Sequence, residues 1–125
     1  MKVSGVFVCL FLAICSVQAK EVREVSLVAL LATPTRYNGH NVVVTGYLCR
    51  ADTKQLGLFL TRADCEEANF ANAIGVTEPK KRLPNLPSLL SVEGRFEDRT
   101  DRVFVDEVYI WGVIHATNVS GRSLP

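Results

Sequence analysis

The sequence predicts a small, mainly β domain whose five strands close into a barrel, with one short helix before the first strand and a second between the second and third strands. Two observations support this fold class. Apolar and polar residues alternate along several stretches, and a period of two is typical of a strand with one buried face. These stretches are separated by polar, glycine- or proline-containing segments and do not alternate with long helices, so a small barrel is favoured over a parallel sheet.

The two helices are predicted from their capping residues. Ser26 precedes Leu27 and Leu30, which fall at helical spacing, and Pro34 marks the end of this helix. The second helix follows segment 61–64, whose Thr-Arg-Ala-Asp sequence resembles a capping box with Asp in place of the usual Glu.

The five strands are assigned from the alternation. Their predicted ranges are 41–49, 56–61, 72–77, 89–97 and 103–114. The inward faces of the first and fourth strands are Val42, Val44, Gly46 and Leu48, and Leu90, Val92, Gly94 and Phe96. Because glycine weakens a strand, Gly46 and Gly94 predict a bulge, a sharp bend or a close backbone approach. In the last strand Val108 and Ile110 are the expected core residues, and residues 118–125 are expected to fray.

The first nineteen residues have the pattern of a secretory signal peptide. A charged start is followed by an apolar run and by small side chains, so cleavage is expected before Lys20 and residues 20–125 form a single domain. The apolar run is about a dozen residues, shorter than the roughly 20 that span a membrane, so no membrane span is expected. A bacterial lipoprotein with lipid on Cys15 is the alternative, although Ile14 fits that motif poorly. The domain is therefore predicted to be periplasmic or secreted.

Charge and cysteine content narrow the function classes. The chain has 14 basic and 13 acidic residues, and only Lys2 leaves with the leader, so the mature domain carries no net charge. Nucleic acid is therefore not expected as a partner, and the cluster Lys80-Lys81-Arg82 in the proline-rich connection 78–88 is interpreted as a solvated loop. Cleavage of the leader would leave two cysteines, Cys49 and Cys65, which can pair only with each other within the chain. Because an exported protein meets an oxidising compartment, we expect a disulfide between them.

The stretch from Val25 to Ile114 resembles a group of small exported bacterial proteins with an OB-like barrel, most of them uncharacterised. The resemblance is carried by the amphipathic start 25–31, the turn Pro34-Thr-Arg-Tyr-Asn-Gly39, the strand 42–48, a Leu-x-Leu strand, the acidic helix, Asn72-Ala73-Ile74 and the Val-x-Gly-x-Phe strand 92–96. It implies an OB-like fold but supplies no catalytic residues. One departure is that the usual OB helix between strands three and four is replaced here by the proline-rich connection.

The sequence contains no recognisable catalytic, metal or cofactor motif. Only His40 and His115 could serve as histidine bases, and neither lies in a hydrolase motif. Glu66-Glu67 is explained by the start of a short helix, and Asp106-Glu107 would point to opposite faces of a strand. Two histidines and a bonded cysteine pair leave no metal-ligand cluster, and no glycine-rich phosphate loop is present.

Aromatic residues supply the candidate binding face. Tyr109 and Trp111 alternate on one face of the last predicted strand, and Tyr47 projects from the first. Such residues can stack on a sugar or a base or contact a partner protein, although we favour the alternative that Tyr109 and Trp111 cover the helix or complete a second small core. The leading hypothesis is an exported non-enzymatic module that binds a protein or an oligosaccharide, such as an inhibitor or immunity protein. The alternative is a small envelope hydrolase that uses His40 or His115.

Overall fold

The computed structural model describes residues 21–50, 55–101 and 108–121. The elements, in chain order, are β1 Val22–Glu24, α1 Leu27–Ala32, a 3₁₀ turn Pro34–Tyr37, β2 Asn41–Cys49, β3 Leu56–Phe59, α2 Arg62–Glu66, a 3₁₀ turn Phe70–Asn72, β4 Ala73–Val76, β5 Ser88–Asp98 and β6 Gly112–Gly121. The predicted leader 1–19, the lipidation of Cys15, and the pair Asp106-Glu107 lie outside the described residues.

The predicted OB-like barrel is confirmed by the strand order. Strands β2, β3, β4, β6 and β5 follow one another around the sheet, and β5 pairs back onto β2, which closes the barrel. Strand β4 runs parallel to β6, whereas β2 runs antiparallel to β3 and β5. This is a five-stranded Greek-key barrel. The short strand β1 was not predicted; it adds in parallel to the first residues of β2.

The barrel interior is filled by the faces that the alternation predicts. The inward residues of β2 and β5 are buried, and Leu56, Leu58, Ile74 and Val76 join them from β3 and β4. We call this cluster the main core. Leu27 and Leu30 of α1 are buried in it, which follows from their helical spacing. The predicted helix caps are also confirmed, because Ser26 accepts a hydrogen bond from the Ala29 amide and Thr61 accepts one from the Asp64 amide.

The glycines in β2 and β5 mark close approaches, as predicted. Strand β5 is bulged against β6 between Glu93 and Gly94. A Cβ at Gly94 would lie 2.7 Å from the carbonyl carbon of His115, and a Cβ at Gly46 would lie 2.9 Å from the carbonyl oxygen of Phe59. Neither approach leaves room for a side chain, so these positions let the strands coil into a narrow barrel.

The prediction for the last strand was wrong in its range and in its buried face. Strand β6 begins at Gly112 and continues to Gly121, through residues that were expected to fray. Residues 108–111 lie outside the strand, so the alternation assumed there does not apply. Ile110, which was expected in the core, is 53% exposed, whereas Tyr109 is buried.

The connection between β4 and β5 is non-helical, as predicted from its prolines. Leu83 and Leu86 pack partly buried against the main core and hold this connection on the barrel. Its first residue is tied to β6, because the Thr77 amide donates to the Ile114 carbonyl oxygen and the Thr77 hydroxyl accepts from the Ala116 amide. The connection is therefore anchored at its start and at two apolar positions.

Candidate functional site

The fold itself indicates where a ligand face would lie. OB barrels bind ligands on the face of their second and third strands and on the loops that join strands one to two and four to five. In this chain the corresponding elements are β3, β4 and the connections 50–55 and 99–111.

The outer face of β3 and β4 is covered by aromatic residues of the chain itself. Tyr109 is 1% exposed and lies edge-on to Phe70, with ring centroids 5.4 Å apart. It also lies edge-on to Phe59 of β3, at 6.3 Å, in a geometry that stabilises aromatic pairs. We call Phe59, Phe70 and Tyr109 the aromatic cover. Among the described residues, these rings pack on one another and cover the middle of this face.

Two glycines make room for Tyr109. Gly57 of β3 and Gly75 of β4 are direct partners in the sheet register, and both lie beneath the tyrosine ring. A Cβ at Gly57 would lie 2.6 Å from Tyr109 Cζ, and one at Gly75 would lie 3.1 Å from Tyr109 Cδ2. The Tyr109 hydroxyl donates a hydrogen bond to the Gln55 carbonyl oxygen at 3.4 Å. The ring therefore occupies a slot that only small residues in both strands can leave open.

The disulfide closes one side of the same cluster. Cys49 at the end of β2 and Cys65 in α2 are joined by a disulfide, with their Cα atoms 6.4 Å apart. Both are buried with Phe59, Ala73 and Tyr109, and we call these five residues the second core. The bond ties α2 against the barrel beside the aromatic cover.

The three predicted binding residues do not form one exposed face. Tyr109 is buried in the second core, as the alternative interpretation predicted for it, so it is removed from the exposed face. Tyr47 packs partly buried on this second core, whereas Trp111 packs on the main core and donates from Nε1 to the Ala71 carbonyl oxygen at 2.9 Å. A binding role for Tyr47 and Trp111 stays a prediction.

The two histidines lie in different environments. His40 is exposed beside the turn before β2. His115 on β6 has Nε2 at 2.8 Å from Glu97 Oε1, and Arg99 Nε lies 3.3 Å from Glu97 Oε2. The hydrogen bond from His115, with the nearby positive charge of Arg99, holds the pKa of the Glu97 carboxyl below its ordinary value despite partial burial. Sequence reasoning found His115 but missed Glu97 and Arg99, because the last strand was predicted to end at residue 114 and the pairing of β5 with β6 joins segments far apart in the chain.

Open concave surfaces lie at the rim of the barrel. A groove of about 340 Å³ at the ends of β3 and β4 is lined by Gln55, Glu78, Arg99 and Tyr109, together with apolar strand residues. Two larger hollows, of about 580 and 530 Å³, flank the connection 77–87. Lys81 and Arg82 line both of these hollows. Two of these three concavities therefore flank the connection 77–87, and the third lies at the end of the β3–β4 face beside Tyr109.

The described part of the chain holds no cluster of three or more side chains suited to a metal ion. Its helices also include none with the length and apolar character that a membrane-spanning helix requires. Comparison with models of known protein families and with curated protein sequences found no match.

Proposed function

We propose that this chain is an exported, non-enzymatic binding module whose partner is a protein. Export is supported by the leader pattern of residues 1–19 and by the Cys49–Cys65 disulfide, which persists in oxidising compartments. The observation that carries the choice of a protein partner is the aromatic cover. It fills the face on which an OB barrel would stack an oligosaccharide or a nucleic acid, while the loop rim remains open.

The rim is suited to protein recognition because it combines a fixed backbone with mixed chemistry. Leu83 and Leu86 anchor the connection 77–87, so little conformational entropy is lost when a partner binds there. Apolar and charged side chains lie next to one another in both flanking hollows. Protein interfaces have this composition, with an apolar centre and a polar rim.

A second candidate, a small hydrolase, is favoured by one observation, the hydrogen bond between His115 and Glu97. A histidine oriented by a carboxylate provides two of the three members of a catalytic triad. The third member is a nucleophile, and within residues 21–50, 55–101 and 108–121 no hydroxyl or thiol is hydrogen-bonded to His115. Replacing His40 and His115 by alanine tests this candidate, since any hydrolytic activity that persists in the double variant removes it.

The binding proposal is tested by capture with the full chain, expressed with its own leader and recovered with the disulfide formed. The immobilised protein is incubated with an envelope extract, and a reduced, denatured sample of the same chain is the control. We expect one protein to be retained far above the control and to bind the purified chain in a titration. Retention of no protein above the control would overturn the proposal, as would tighter binding of soluble envelope oligosaccharides than of any protein.

A further inference from the structure

We infer that Lys81 and Arg82 form the contact surface for a protein partner with an acidic patch around an apolar centre. The inference rests on the proposed binding function and names the chemistry of the partner. It extends the interpretation of Lys80-Lys81-Arg82, which the sequence alone presents as a solvated loop. We call residues 80–82 the basic loop.

The basic loop is exposed but fixed in place. Lys80, Lys81 and Arg82 are all exposed, whereas the next residue, Leu83, packs on the main core. Upstream, Glu78 forms an ion pair with Arg50 at the end of β2. The three cationic side chains are therefore displayed from a backbone that is held on both sides, and fixed groups lose less entropy on binding than mobile ones.

The charge of this surface is not balanced locally. Glu78 is the one acidic residue in the connection 77–87, and it is engaged by Arg50. Within the described residues, Lys80, Lys81 and Arg82 take part in no salt bridge. The domain carries no net charge once the predicted leader is removed, so this local cluster stands out. A local positive cluster attracts a negatively charged surface and fixes the orientation in which it binds.

The hollows beside the basic loop determine which negatively charged partner fits. Leu83 and Pro84 line both hollows. Leu86 adds to the apolar wall of the first hollow, and the second also contains Leu89, Leu90 and Val119. Nucleic acids and sulfated glycans are bound by long basic stripes and would gain nothing from these apolar walls. A protein surface with carboxylates around apolar side chains matches both the cations and the walls.

The test uses a defined probe, a short peptide with a leucine stripe flanked by glutamates, titrated into the isotopically labelled full chain and followed by NMR. We expect shifts at residues 81–90 and 119–121. The variant Lys81→Glu/Arg82→Glu should bind about tenfold more weakly, because two attractive contacts become repulsive. The matched variant Arg23→Glu/Arg95→Glu changes the net charge equally at exposed sites on β1 and β5 and should keep the affinity.

Other outcomes overturn the inference. Equal weakening in both variants would mean that only net charge matters. Tighter binding of heparin than of the peptide would assign the surface to a polyanion. A captured partner that binds the Lys81→Glu/Arg82→Glu variant as tightly as the unchanged chain would refute this inference and leave the proposed function intact, whereas failure to capture any protein refutes the proposed function itself.

Discussion

The slot that holds Tyr109 predicts a strong coupling between Gly57 and that residue. Gly57 has no positive φ, so its backbone accepts alanine without strain. The added Cβ would instead lie 2.6 Å from Tyr109 Cζ. The ring is held between Phe59 and Phe70 and cannot swing away. Overpacking of this kind costs about 1–3 kcal/mol, so we expect Gly57→Ala to lower the free energy of unfolding by about 2 kcal/mol.

The same substitution should cost almost nothing when the ring is absent. Tyr109→Leu removes the ring atoms that the Cβ added by Gly57→Ala would meet. Replacing glycine by alanine at a permitted φ also restricts the unfolded chain, which stabilises a protein by about 0.4–1 kcal/mol. The expected coupling energy is therefore about 2 kcal/mol, well above the roughly 0.5 kcal/mol within which independent sites add.

Equilibrium unfolding in urea of the four proteins in this double-mutant cycle measures the coupling. A destabilisation of about 2 kcal/mol corresponds to about 10 °C in the melting temperature of a domain of this size, which thermal unfolding would also detect. Gly121→Ala is the matched control, since no atom lies within 4 Å of the added Cβ. Equal costs of Gly57→Ala with and without the Tyr109 ring would refute the packing argument.

Three further predictions concern stability. Gly94→Ala should lower the free energy of unfolding by about 3 kcal/mol or more, because the added Cβ meets the His115 backbone rather than a side chain. A smaller loss than for Gly57→Ala, measured by unfolding in urea, would contradict this. Replacing Cys49 and Cys65 by serine opens a loop with a sequence separation of 16 and should lower the free energy of unfolding by about 3 kcal/mol. Dithiothreitol should lower the free energy of unfolding of the unchanged chain by a similar amount and leave that of this variant unchanged. The pKa of Glu97 is lowered in the folded state. The ionised carboxylate therefore stabilises the fold above the pKa of about 4.3 that it has in the unfolded chain, and this stabilisation is lost as the pH falls through the folded pKa. Glu97→Gln should therefore be less stable than the unchanged chain near pH 6, and the difference should shrink as the pH falls through the lowered pKa of Glu97. A difference that stays constant as the solution is acidified would exclude the ionic interaction.

The barrel was predictable from the sequence because β2 and β5 each bury one face. Val42 and Val44 alternate with less buried residues, and this alternation gives both the strand and its orientation. The capping residues Ser26 and Thr61 similarly identify both helices, since each hydroxyl accepts a hydrogen bond from a backbone amide within its own turn. The strands and helix caps were thus predictable, because both depend on residues that are close together in the sequence.

The second core was predictable only in part, because it joins segments far apart in the chain. Tyr109 reaches Gly57 and Phe70 across long stretches, and alternation within one segment carries no information about such contacts. The paired glycines of β3 and β4 were the signal that could have been used. The hydrogen bond of His115 with Glu97 was hidden for a different reason, since the last strand was predicted to end at residue 114 and alternation within one strand does not show how β5 pairs with β6.

Strands β3 and β4 are buried on both faces, by the main core inside and largely by the second core outside. Their amide hydrogens therefore cannot reach water through a local opening of one layer. Exchange with solvent deuterium at these positions requires both layers to separate, which amounts to unfolding the whole domain. The slowest-exchanging amides should accordingly lie in these two strands, and their exchange rates would report the global stability of the protein directly.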